Sequence, residues 1–416
     1  MILLRILKES VLFALHALVN NKLRTILSLL GVTIGIFAII SVLSAVDSLE
    51  TNVRGEVSDL GDDVVYIQKW PWGGGNDMPW WKMMNRPQPT LNEFKKLSTR
   101  FNKAEAVAMN VFPRQQTIKY KTNSISDVQT VGVSNDYELF GNVDVVDGRF
   151  FSFSEYNAGS NSVVLGYDIA QGLFEGLDPL GKSFRLFGRK VKVIGVLAKE
   201  GDSMIGNSND QNVLIPLNFV RKIQNLNEGR VDALIMVKPI QGVGIEQLKD
   251  ELTGELRSIR RLRPRQDDNF ALNEVSVLAS NLDEFFGFLN IAGIIIGGFS
   301  ILVGGFGIAN IMFVSVRERT NIIGIQKSLG AKNYFILSQF LVESVVLSLL
   351  GGLIGLLMVF GVMKLISNLA EMDIFLGLSN IVIGLSISVS IGLIAGIIPA
   401  WMGAKMNPVD AIRTNA

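Results

Sequence analysis

The sequence predicts a membrane protein: four transmembrane α-helices, with a large α+β extracytoplasmic domain inserted between helices 1 and 2. Three observations carry this. Thr25–Val46, Phe285–Val316 and Ile374–Ala404 contain no charged residue, and Tyr334–Met363 contains only Glu343. A bilayer core of about 30 Å needs about 20 apolar residues in a helix, whereas apolar runs inside soluble proteins rarely exceed about 14. Lys and Arg gather at alternate ends of these runs, and the long segment between the first two reads as strands and helices.

In chain order, residues 1–24 carry Leu4, Leu7, Val11, Ala14 and Leu18 on one face with Arg5, Lys8 and Glu9 beside it. This fits an amphipathic helix on a membrane surface; a simple extension of the first span fits equally well. The first span is 25–46. It starts too far in, and its apolar run is too long, for a cleaved signal peptide. Arg5, Lys8, Lys22 and Arg24 precede it, and Asp47, Glu50, Glu56 and Asp59 follow. The second span is 285–316, the loop 317–333 holds Arg317, Arg319, Lys327 and Lys332, the third span is 334–363, a short turn covers 364–373, the fourth span is 374–404, and Lys405 and Arg413 lie in the tail 405–416. Basic residues flanking spans stay on the cytoplasmic side. Both termini and the 317–333 loop are therefore expected inside the cell, and 47–284 and 364–373 outside.

Alternating apolar runs predict strands at 62–68, 128–133, 161–166, 190–196, 212–217 and 231–237, with helical patterns at 91–101 and 244–262. This α+β region divides into two expected subdomains, about 47–120 with 231–284, and 121–230.

Several stretches invite a chemical reading. GLDPLGKS, residues 176–183, fits the phosphate-loop pattern letter for letter. A phosphate loop joins a strand to a helix, whose N-terminus holds the phosphates. Here SFRLF and KVKVIGV follow with FGRK between them, a hairpin signature, and Pro179 removes a backbone donor. A turn is expected, not a nucleotide site. With no cysteine, thiolate metal sites and disulfides are excluded, and with one histidine, His16, zinc sites and histidine-based triads have almost no material to use. A net charge of +1 gives no footprint for nucleic acid. WPWGGGNDMPWW, residues 70–81, makes Trp70, Trp72, Trp80 and Trp81 candidates for docking a partner or lipid headgroups, or a loop folded onto its own indoles. The basic run RSIRRLRPR, 257–265, reads as a solvated helix end; an anionic lipid or acidic partner is the alternative.

Each span carries a G-x-x-x-G pair: Gly31/Gly35, Gly293/Gly297, Gly351/Gly355 and Gly392/Gly396. Such pairs allow close helix approach within a bundle or across a dimer. The spans offer almost no polar lining, which argues against conduction of a hydrophilic solute. Glu343 is expected to pair with a neighbouring polar group; a relay role is the sharper alternative. In SVRERTNIIGIQKSLGAK, 315–332, Ile322, Ile325 and Leu329 share a helical face, and Gly330 suits a helix C-terminus. This is either a juxtamembrane helix with basic anchors or one shaped for a groove in a partner.

VRERTNIIGIQKSLGAK, FILSQFLVESVVLSLLGGLIG (335–355) and PAWMGAKMNPVDAIR (399–413) resemble the FtsX-like permease domain of MacB-type ABC transporters; 145–186 resembles their extracytoplasmic domain and 20–36 their first helix. The family often has Glu where Ile322 stands and a basic residue where Gln326 stands. The resemblance implies a stand-alone permease of the bacterial inner membrane, without a fused ATPase domain and working by mechanotransmission. A separate cytoplasmic ABC ATPase would bind ATP and Mg, so this chain itself would hold no cofactor or metal and catalyse nothing. It further implies that Arg317, Glu318, Arg319, Thr320, Ile323, Gly324, Lys327, Gly330 and Ala331 couple to that ATPase. A second permease copy or paralogue would complete a dimer. A membrane-fusion adaptor and an outer-membrane channel would complete the path for export of peptides, antibiotics or similar molecules. The alternatives within the resemblance are a lipoprotein-releasing permease of LolC/LolE type and an FtsX-like regulator of cell-wall hydrolases.

Overall fold

A computed structural model describes residues 22–58, 60–61, 63–73, 79–141, 143–201, 208–370 and 374–413. The expected surface helix at 1–20 lies outside them, as do 74–78 of the tryptophan-rich stretch and 371–373. The chain divides into two compact units, Asn52–Asp283, and Met1–Thr51 with Glu284–Ala416.

The helices are α1 Lys22–Ser58, α2 Trp80–Met84, α3 Leu91–Arg100, α4 Phe153–Ala158, α5 Tyr167–Phe174, α6 Leu217–Arg221, α7 Ile245–Arg260, α8 Val275–Glu318, α9 Thr320–Ser328, α10 Asn333–Ala370, α11 Leu378–Lys405 and α12 Pro408–Arg413. Among the described residues four helical stretches are long and apolar enough to cross a membrane: Leu29–Ser58, Val275–Glu318, Asn333–Leu369 and Leu378–Lys405. Two of these helices outrun their apolar segments. α1 continues to Ser58 and α8 begins at Val275, because 47–58 and 275–284 contain no proline and only one glycine to stop a helix. An Arg54–Asp283 ion pair joins the two extensions within the α+β unit.

The strands are β1 Val65–Gln68, β2 Ala104–Phe112, β3 Gln116–Tyr120, β4 Asn123–Val133, β5 Val145–Gly148, β6 Ser162–Leu165, β7 Ser183–Leu186, β8 Arg189–Leu197, β9 Asn212–Pro216, β10 Asp232–Pro239 and β11 Ala271–Glu274. All belong to one sheet, in the order β11-β1-β10-β2-β4-β3-β7-β8-β6-β9, with β5 on β8. Because β4 also pairs parallel to β9, the strands β4, β3, β7, β8, β6 and β9 close into a ring. The open portion β11-β1-β10-β2 joins this ring through Asn110↔Val133 and Val111↔Gly132. β3, which lies in the stretch 47–120, pairs with β4 and β7 in the ring.

On the open portion, α3 and α7 bury Leu91, Leu97, Leu248, Leu252 and Leu256 against the sheet. Each fully buried leucine contributes roughly 1.5–3 kcal/mol over exposure. Thr90 and Glu93 form a capping box at the start of α3. Glu93 also takes a two-pronged ion pair from Arg260 of α7, at 3.0 and 3.1 Å, which fixes the two helices together.

Candidate functional site

The loop between the second and third apolar helices is built as a short helix held at both ends. α8 stops at Glu318, Arg319 takes a non-helical conformation, and α9 then runs to Ser328. Gly330 has φ +94°, and Gly330 N donates to Lys327 O while Ala331 N donates to Gln326 O. This paired pattern closes a helix with a left-handed residue, which glycine adopts without strain. The next helix begins three residues later.

At the entry to α9, Arg319 Nη1 donates to Glu343 Oε2 at 3.0 Å, and Ser315 Oγ donates to Glu343 Oε1 at 3.4 Å. Glu343 is only 1% exposed, so α10 carries a buried carboxylate whose charge is met by the start of the loop. At the exit, Lys327 Nζ donates to Ala404 O and Met406 O, both at 2.7 Å. These are carbonyls at the C-terminus of α11, where a cation also meets the negative end of the helix dipole. Ile323 and Gly324 are buried, with Ile323 in the core of the apolar helices, and α9 packs against α12.

The residues expected to couple to a partner are thus sorted by the fold. Arg317, Glu318 and Gly330 are exposed; Arg319, Thr320, Lys327 and Ala331 are half-buried; Ile323 and Gly324 face the core. On α9 Ile322 is 54% and Ile325 49% exposed, and Leu329 at its C-terminal cap is 84% exposed. That is the face the periodicity marks, left uncovered by the other described residues.

The paired glycines sit at close approaches between helices of the same chain. A Cβ built on Gly35 would lie 2.9 Å from Ser300 O, one on Gly355 3.0 Å from Thr33 O, and one on Gly392 2.7 Å from Val345 Cα. Gly31 faces Gly304, Gly293 faces Val42, Gly297 faces Ile39, Gly351 faces Val32, and Gly396 faces Ser344. α1 therefore packs on both α8 and α10, and α10 on α11. Polar side chains add cross-links: Thr33 Oγ1 donates to Gly351 O, Ser348 Oγ to Ser388 O, and Asn380 Nδ2 to Ser44 Oγ and Asp47 Oδ2.

Among the tryptophans, Trp80, Trp81 and Trp70 are 66%, 55% and 45% exposed. Trp72 is withdrawn: its ring stacks on Tyr66 with centroids 4.9 Å apart, and its indole N–H donates to Gln68. GLDPLGKS is a turn. Leu180 N donates to Asp178 Oδ1, Gly181 N to Val193 O and Lys182 N to Pro179 O. Three of its amides are thereby used within the chain. It leads into the hairpin β7–β8, whose turn is Phe187-Gly188, both at positive φ. Among the described residues no group of three or more His, Asp or Glu is arranged to hold a metal ion.

Four packed apolar helices, an α+β unit inserted between the first two and a short helix between the second and third make up most of the described residues. The chain matches the MacB-like periplasmic core domain over residues 25–255 and the FtsX-like permease C-terminal domain over residues 294–408, and it belongs to this family. It is 30% identical to the uncharacterized ABC transporter permease YvrN of Bacillus subtilis, across 97% of this chain and 99% of that protein. It is 28% identical to the macrolide export ATP-binding/permease protein MacB of Bdellovibrio bacteriovorus, across 96% of this chain but 60% of that relative. Among solved structures it is similar to the periplasmic region of MacB from Actinobacillus actinomycetemcomitans, with TM-score 0.45 and 17% identity over 56% of this chain and 97% of that one.

Proposed function

We propose that this permease exports molecules by mechanotransmission. ATP is bound with Mg and hydrolysed on a separate cytoplasmic ABC ATPase, and the resulting movement passes through the packed helices to the α+β unit outside. In this reading both termini and the 317–333 loop are cytoplasmic, the membrane is the bacterial inner membrane, and two permease chains, identical or paralogous, work as a pair.

The observation that carries the proposal is α9. Its apolar outer face of Ile322, Ile325 and Leu329 is uncovered, while Arg319 and Lys327 tie its two ends to α10 and α11. A helix face of this kind suits a groove on a partner, and a push on it reaches two spans through hydrogen bonds rather than through loose chain. The spans support the same reading. Their glycines draw the backbones together, and the single carboxylate in the apolar runs is already paired, so little is left to line a hydrophilic path.

The export role, with peptides, antibiotics or similar amphipathic molecules as cargo, draws on the likeness to macrolide exporters, as do the membrane-fusion adaptor and outer-membrane channel that would complete the path. The test is affinity purification of the full chain from detergent, followed by mass spectrometry. An ABC ATPase at near-equal stoichiometry is expected, with an adaptor at lower yield. Recovery of a lipoprotein carrier or a cell-wall hydrolase in place of an adaptor would overturn the export role. Recovery with no ATPase would overturn the proposal entirely.

A further inference from the structure

In the α+β unit, one face of β11-β1-β10-β2 is covered by α3 and α7. Among the described residues the opposite face is covered by Val57 near the end of α1, Val275 at the start of α8, and Phe140 beside the 3-10 helix Asn135–Leu139, with Leu60, Trp72, Leu278 and Leu282 packed against them. A cavity of about 520 Å³ remains beneath this cover. That lies within the range of about 300–1,000 Å³ typical of small-molecule sites, and it sits where two groups of strands meet, a common place for such sites.

Its floor is set by strand register. Tyr66 pairs with Met236 and Asn110 with Leu234, so these four side chains share one face of the sheet. Tyr137, Phe140, Leu197 and Leu214 also line the cavity. Asn110 is 6% exposed, and its side-chain carbonyl oxygen has no hydrogen-bond partner among the described residues. A buried amide of this kind costs about 1–3 kcal/mol unless something meets it.

The rim is acidic. Among the described residues that line it, Glu56, Asp144 and Glu200 are acidic and Lys199 is basic, its ammonium lying over the Tyr167 ring at 5.9 Å. The Glu200 carboxylate is held in place: Asn209 N and Nδ2 donate to it at 3.1 and 2.9 Å, and its own backbone N–H donates to buried Asp210. Its charge reaches the cavity. Burial, and then Glu200, push the Tyr137 phenol up to about 12.

We propose that this cavity binds a drug-sized apolar molecule carrying one positive charge. The apolar body lies on Leu234, Met236 and Phe140 beside the edge of Tyr66; the cation sits toward Glu200, where the Tyr137 ring also favours it; Asn110 meets a polar group on the body. That such a molecule is cargo rests on the export reading; that it binds does not.

The chain has no cysteine, which makes a clean test possible. Leu234→Cys places one thiol at the half-buried edge of the floor, and Ser98→Cys places one on α3 as a control. The full chain in lipid nanodiscs is labelled with a maleimide in the presence of tetraphenylphosphonium or of tetraphenylborate, a pair of equal shape and opposite charge. The cation is expected to slow labelling of Leu234→Cys at least fivefold and the anion to leave it unchanged, with Ser98→Cys indifferent to both. Glu200→Gln should raise the half-protecting concentration of the cation about tenfold, the equivalent of 1.4 kcal/mol. Equal protection by the two ions, or none by the cation, overturns the proposal. Equilibrium dialysis of tetraphenylphosphonium against the unaltered chain covers the case in which Leu234→Cys does not fold: one saturable site above empty nanodiscs is expected, and its absence overturns the proposal. Neither measurement uses the ATPase, so the export reading stands or falls separately on the partner purification.

Discussion

The Arg319–Glu343 pair ties the loop helix to α10, and its strength can be worked out from burial. Glu343 is 1% exposed and Arg319 19%. Removing one partner of a buried ion pair costs about 3–5 kcal/mol, because the other charge is stranded away from water. The two truncations should differ. Arg319→Ala leaves Glu343 with only Ser315 and no route to solvent, so it should fall at the top of that range. Glu343→Ala leaves Arg319 at a helix break, where its long side chain can turn outward, so about 2 kcal/mol is expected. Replacing both together, Arg319→Met with Glu343→Leu, removes the stranded charges and should recover most of the loss, giving a coupling energy of about 2–3 kcal/mol. The assay is unfolding of the full chain in mixed micelles by increasing SDS, followed by tryptophan fluorescence, for the two single variants and the double. Additive losses, with coupling below about 0.5 kcal/mol, would refute the argument that these side chains hold the loop to the helix.

Two further outcomes follow from the same structure. Gly392→Val should destabilise the chain by about 2–3 kcal/mol in the same assay, since a Cβ there meets Val345 backbone at 2.7 Å, whereas Gly361→Ala, with open space around it, should stabilise by about 0.5–1 kcal/mol. Hydrogen bonds from Arg149, with further ones from Ser152, hold the Glu155 carboxyl down at about 2 from a usual 4.5. A depressed carboxylate stabilises the fold fully above its unfolded value and loses that contribution as pH falls through its folded one. Wild type should therefore exceed Glu155→Gln by about 1–2 kcal/mol at pH 7, allowing for the half-exposed arginine, with the gap closing between pH 4.5 and 2; a gap constant with pH would contradict the assignment.

How much of this was legible in the residues depends on how local each signal is. The four spans were readable because uncharged runs of this length have no stable alternative in water. The glycine pairs can be read as close approaches, but not their partners, which lie on other helices, some of them far away in sequence, such as Thr33 against Gly355. β8 and β10 announced themselves by β-branched alternation. β2, AEAVAMNVF, did not, because it is buried on both faces over most of its length and carries few β-branched residues. The ring closed by β4 and β9 depends on a parallel pairing across 80 residues, for which sequence gives no signal. In the loop helix the sequence shows that Ile322, Ile325 and Leu329 share one apolar face, and the structure shows that all three are exposed. The cations beside it were not placed: Lys327 reads as a surface charge until the C-terminal carbonyls of α11 are seen beneath it. A charge reversal at Lys327 would thus damage the fold and could not report cleanly on partner binding.

The sharpest test of the account is made on the uncovered face itself. Ile325→Asp with Leu329→Asp changes two exposed side chains and should alter stability by no more than about 0.5 kcal/mol each. The account predicts that this variant inserts and unfolds like wild type, yet retains less than about a tenth of the co-purifying ATPase, a loss of at least 1.4 kcal/mol in binding. Undiminished recovery of the ATPase with the variant would contradict the claim that α9 is where the motor's movement enters the membrane.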